Sequence, residues 1–386
     1  MHNLKRLEFS RCKELKALPH NLGALTQLRS LDLSETGIQE LPDTLTSYLY
    51  KLESVNLGSI CKFPKDIKNW VELRSFIYSG KTNGATMPRG LEKLTRLEEL
   101  VPYLVRKDIE VSTGTSYYST SSSIQELADL NSLRKLKILN LENVRGKIDA
   151  ERANLKDKQN IKDLTLQWEP KEGEGDDLAV AITAAMVLEG LQPHPNLEIF
   201  YINGFPGLEP PKWMASSSSL PNLVKLTFHG NKCENLVSLG QLSCLKILHI
   251  LHMNSVKCLG KEFYQQEEVG YKGSSAAATT TLFPSLTELR IQYMEDLEEW
   301  VAPSQPDNSF PCLEILQISF CNNLTSIPDL SLWASTLRHL DISSCFKLKE
   351  SIALYADGLQ RSVKDKEELD MLDLFSALYG APTKAS

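Results

Sequence analysis

One short phrase, LxxLxLxx, returns again and again along this chain, and it limits the fold more than any other feature. Leu4 opens LKRLEFSRC, Leu28 opens LRSLDLSET and Leu52 opens LESVNLGSI, each 24 residues after the last. Leu73 (LRSFIYSGK) follows after 21 residues and Leu97 (LEELVPYLV) after 24. Ile161, Leu197, Leu223, Leu245, Leu286, Leu313 and Leu337 open later copies, and with LKILNLENV near Leu136 there are about thirteen. The LxL alternation puts two apolar side chains on one face of a short strand. Such a strand cannot bury that face by itself. Strands stacked in parallel about 4.8 Å apart share one apolar interior, and each coil returns along the outside.

This is the leucine-rich repeat signature. It predicts an α/β solenoid, a curved horseshoe with a parallel β-sheet on the concave face and short helical or 3-10 returns on the convex face. Twelve strand steps give a sheet roughly 60 Å along its contour. The returns reach LP-type pairs at Leu18-Pro19, Leu41-Pro42, Phe63-Pro64, Met87-Pro88 and Ile327-Pro328, where proline turns the chain and, having no N–H, stops a sheet from spreading outside. The ninth position of each phrase turns the chain out of the strand. Cys12, Cys321 and Cys345 stand there beside Thr36, Asn231, Phe205, Met253 and Met294, and the cysteines read as small buried residues.

The expected organisation is repeats over 1–105, a Ser/Thr-rich insertion at 106–124, repeats over 125–350 with loops at 169–180 and 265–281, and a tail at 351–386. In that tail Leu369, Leu372 and Phe375 fall on one helical face, as a closing helix would need.

With 42 Lys+Arg against 49 Asp+Glu the formal charge is -7, which argues against a nucleic-acid binder. No apolar run is long enough to span a membrane, and MHNLKRLEFS has no export signal. The eight cysteines include no CxxC pair and fit reduced thiols. Ser79-Gly80-Lys81-Thr82 echoes a phosphate loop without its first glycine. His249 and His252, three apart on a strand, are expected on opposite faces. No spacing of His, Cys, Ser or carboxylates predicts catalysis, a metal or a cofactor.

Several stretches resemble the repeats of plant intracellular nucleotide-binding disease-resistance receptors of the coiled-coil class. They are LDLSETGIQELPDTLTSYLYKLESVNLGSICKFPKDIKNWVELRSF, MPRGLEKLTRLEEL at 87–100, the block at 125–168 ending in LTLQW, and FPSLTELRIQYMEDLEEW. The resemblance implies a cytoplasmic chain, with the nucleus as a second compartment. It implies a protein partner on the concave face, either a pathogen effector or a host protein; the alternative reading is a general interaction scaffold or adaptor without a pathogen ligand. It also implies a nucleotide-binding domain, where ATP or ADP would sit, which this sequence does not contain.

Outward positions of the phrases nominate Trp168, Tyr201, His229, Tyr293, Phe320 and His339 for partner binding, since exposed rings are costly unless something covers them. The first repeat is basic through Lys5, Arg6, Arg11, Lys13 and Lys16, with Arg29 beside it, and by resemblance this patch is a docking face for the nucleotide-binding domain.

Overall fold

The computed structural model describes residues 3–60, 62–64, 66–79, 87–107, 123–169, 178–265, 281–303, 308–333 and 335–348. The echo at 79–82 and the tail at 351–386 therefore lie outside the described residues, apart from Ser79. Two compact units emerge, Met1–Gly175 with Met186–Leu197, and Asp176–Ala185 with Glu198–Ser386.

The first unit carries seven parallel strands in sequence order: β1 (Arg6–Glu8), β2 (Ser30–Asp32), β3 (Ser54–Asn56), β4 (Ser75–Ile77), β5 (Glu99–Leu104), β6 (Lys135–Leu139) and β7 (Asp163–Gln167). Register follows the phrase: Leu7 pairs with Leu31, Leu31 with Val55, Val55 with Phe76, Phe76 with Leu100, Leu100 with Leu136 and Leu136 with Leu164. Leu136 thus holds the fourth place of its phrase, which opens at Leu133. Leu28, Leu33, Leu52, Leu57 and Leu73 are completely buried. Each such side chain contributes about 1.5–3 kcal/mol. Proline at position 102 donates no hydrogen bond, and the β5–β6 register shifts between Leu100 and Tyr103.

In the second unit the main sheet comprises β8 (Ile199–Asn203), β9 (Lys225–His229), β10 (Ile247–Leu251), β12 (Glu288–Gln292), β14 (Ile315–Ser319) and β15 (His339–Ser343), again parallel and in order. A small second sheet pairs β11 (Cys258–Leu259) with β13 (Glu299–Trp300). Neither strand is followed by the LP pair that closes the first unit's returns. A buried aromatic cluster of Phe263, Tyr264, Phe283, Phe310 and Trp333 adjoins it, with Trp300 Nε1 donating to Tyr264 Oη at 2.7 Å.

The returns are short. Helical turns follow the LP-type pairs at His20–Ala24, Thr44–Tyr48 (α1), Ile67–Asn69, Leu91–Lys93 and Leu330–Trp333. Two further helices are α2 (Lys147–Glu151) and the longer α3 (Leu178–Gly190), the latter beginning inside the stretch expected to be a loop at 169–180.

The ends of the 106–124 stretch are tied into the first unit. Arg106 pairs with Glu126 and donates to the carbonyls of Met87 and Pro88 at 3.2 and 3.3 Å, while its N–H donates to Ser123 Oγ at 3.0 Å.

Ninth-position side chains satisfy buried backbone, as that place requires. Asn231 Oδ1 accepts from Phe205 N–H at 2.9 Å, and the Cys321 and Cys345 thiols lie 3.7 Å from the carbonyls of Ile291 and Ile318. Cys12 departs from its expectation: it is exposed. In the same coil Leu4, Leu7 and Phe9 are only half-buried.

Candidate functional site: an aromatic ladder on the open sheet face

Alternation sends Leu289 and Ile291 of β12 into the core. Two residues on, Tyr293 should follow them inward. Its backbone instead adopts φ +56°, the left-handed region, and the ring emerges 39% exposed. Phe320 after β14 (φ +57°, 43% exposed) and His252 after β10 (φ +54°) do the same.

These residues follow Gln292, Ser319 and Leu251, which face one another across adjacent strands. Their rings therefore stack at strand spacing. The His252 and Tyr293 centroids are 4.4 Å apart at 2°, and those of Tyr293 and Phe320 are 4.6 Å apart at 3°. On the other side His229 meets His252 at 5.0 Å and Tyr201 stacks on His229 at 6.3 Å. The result is a row of five rings over β8, β9, β10, β12 and β14.

Tyr201, His229, Tyr293 and Phe320 are thus brought together. His252 belongs with them, and sequence reasoning missed it because strand alternation set it against His249. Both histidines point away from the core, since the left-handed turn at His252 reverses the alternation. His339 stands exposed at the start of β15 and is outside the ladder.

Trp168 requires a correction. It holds the same eighth place in its phrase as Tyr293, but its φ is not positive, and the ring continues the inward series of Leu164 and Leu166, only 2% exposed. Trp168 is a core residue of the first unit.

Beside the ladder, His249 Nε2 lies 2.8 Å from Glu288 Oε1 and Arg290 Nε lies 2.6 Å from the same oxygen. Burial pushes the Glu288 carboxyl up, but the His249 hydrogen bond and the Arg290 charge outweigh it and leave it below the usual carboxylate range. Burial holds the His249 imidazole down, against the pull of Glu288. Neutral His249 therefore donates its ring N–H, and Arg290 supplies the positive charge. His229 is held down by burial and by His252, and its Nδ1 lies 2.8 Å from Asn203 Oδ1.

The basic patch of the first unit is partly neutralised. Arg6 pairs with Glu8, Arg11 lies 3.7 Å from Glu35, and Arg29 is 2.5 Å from Glu53. Lys5, Lys13 and Lys16 are exposed.

Among the described residues no group of three or more His, Cys, Asp or Glu side chains is placed to hold a metal ion, and no helix is long and apolar enough to cross a membrane.

Two family models match the chain: R13L1/DRL21 LRRs over residues 124–253, and Plant disease resistance protein RPS2-like, leucine-rich repeats, over 211–346. At3g14460 of Arabidopsis thaliana, a disease resistance protein by its name, is 32% identical over 86% of this chain and 22% of its own length. Disease resistance protein RGA2 of Solanum bulbocastanum is 32% identical over 58% of this chain and 24% of its own. The chain thus spans less than a quarter of these relatives. Among solved structures, a leucine-rich-repeat protein of Leptospira interrogans aligns with a TM-score of 0.46 at 17% identity, covering 89% of this chain and 84% of the other.

Proposed function

The chain is a leucine-rich-repeat region of the plant disease-resistance type, and from that premise we propose that its open sheet face binds a protein ligand and thereby controls an adjoining nucleotide-binding switch in the defence response. The ligand is a pathogen effector or a host protein that an effector modifies, met inside the cell. The ladder is the observation that carries this reading. Three bulky side chains hold a backbone region that costs about 1–2 kcal/mol per residue, and they use it to display rings that alternation would bury. The same backbone state also occurs at the buried rings Phe283 and Phe310, so what sets the ladder apart is exposure, and exposed rings are the usual anchors of protein interfaces. Binding energy spent on one state of the receptor shifts its population from closed to open.

The test is to screen secreted pathogen proteins and their host targets against the chain and against Tyr293→Ala/Phe320→Ala. A ligand should bind the parent and lose about thirtyfold or more in affinity with the double variant, the loss that even one hot-spot ring predicts. Ligands that bind both equally would remove the ladder from the site. Control of the switch has its own test. A separately expressed nucleotide-binding domain should associate through Lys5, Lys13 and Lys16 in a salt-sensitive manner, and salt-independent association would exclude the patch.

A further inference from the structure

The residue after each strand of the second unit's main sheet repeats one backbone state: Gly204, Gly230, His252, Tyr293, Phe320 and Ser344 have φ of 68°, 62°, 54°, 56°, 57° and 52°. Rings occupy three consecutive places in this row. At Ser344 the row continues in backbone but not in side chain. One face of Phe320 lies against Tyr293, and among the described residues no ring covers the other. A planar group above Ser344 would continue the stack at the spacing of the rings below it.

Charge selects which planar group. Glu288 is neutralised by Arg290, and Glu314 has Arg338 at 3.8 Å. Asp341 on β15 has no cation within 4 Å among the described residues, and its contact is Gln317 Nε2 at 3.5 Å. It shares the open face with Ser343, roughly 7 Å away at strand rise, within the screening length of physiological salt. The other titratable group on that strand is His339. A neutral aromatic ring would gain nothing from this carboxylate, and an ammonium has no plane to stack. A guanidinium uses both the ring face and the negative charge.

We infer that the partner presents an arginine whose guanidinium stacks on the open face of Phe320 above Ser344, with Asp341 drawing it there. This rests on the sheet face being the recognition surface.

The test is NMR titration of the chain with N-acetyl-arginine amide, N-acetyl-lysine amide and N-acetyl-tyrosine amide, observing the Phe320 and Tyr293 ring signals. The arginine amide should shift the Phe320 signals and bind at least fivefold more tightly than the other two. Phe320→Leu and Asp341→Asn should each weaken it severalfold. Ser344→Phe, which supplies a fourth ring, should block it, with melting curves confirming that each variant folds. Tyrosine amide binding as tightly as arginine amide, or arginine binding that survives Phe320→Leu, would overturn the inference. If a protein ligand is lost on Tyr293→Ala/Phe320→Ala while the arginine amide leaves Phe320 untouched, the arginine is wrong and the recognition face stands.

Discussion

Trp168 and Tyr293 occupy the same place in the repeat phrase, yet the first ring is buried in its unit and the second emerges from its own. The difference is the sign of one backbone angle, which no pattern of apolar residues reports. Tyr201 and His229 were legible because simple alternation puts them outward between buried neighbours, Phe200 and Ile202 for the first and Phe228 for the second. His252 was not, because its side is set by a left-handed turn that Gly204 and Gly230 announce only once the strands are aligned. A reversed substitution order follows. In an ordinary strand glycine is the costlier replacement, but at φ +56° alanine keeps the strain while glycine relieves it. Tyr293→Ala should therefore be less stable than Tyr293→Gly by about 1 kcal/mol in chemical denaturation.

Elements are held by contacts that the repeat phrase does not encode. The Arg106–Glu126 pair is largely buried, with side chains 17% and 16% exposed, and it joins the coil ending at β5 to the coil that begins at Ser123. Burial raises the Glu126 carboxyl and the Arg106 hydrogen bond opposes it. Arg106→Met leaves that carboxylate buried without its cation and should cost about 3–5 kcal/mol, read as a lower denaturation midpoint. The Ser/Thr-rich composition of 106–124 hid this tie, which Arg106 at its start makes with Glu126 just past its end. Between β10 and β12, native His249 and Glu288 both sit below their ordinary values. As pH falls, the unfolded chain takes up these protons before the folded one, so stability is lost on acidification. The imidazole acts as pH falls below its ordinary value of 6.5 and the carboxyl as pH falls below its ordinary value of 4.5. His249→Gln should flatten the melting temperature against pH over the upper window, and a parent curve already flat there would contradict the assignment.

At the scale of the molecule, the recurring LxxLxLxx phrase made the architecture readable, since inward Leu positions and register come from it directly. The boundary between the two units was not readable, because the repeat phrase runs on past Gly175 in the same form. Each coil rests on its neighbours. Leu33→Ala should thus cost about 2–5 kcal/mol and raise hydrogen exchange in the strands beside it, β1 and β3, as well as in its own coil. The account as a whole stands on the ladder being covered when the chain meets its ligand. Hydroxyl-radical footprinting of the chain with and without a bound protein ligand tests this directly. The account predicts protection at His252, Tyr293 and Phe320 while exposed Tyr48 and Tyr50 on the first unit's returns stay reactive. Unchanged reactivity of the three rings in a saturated complex would contradict it.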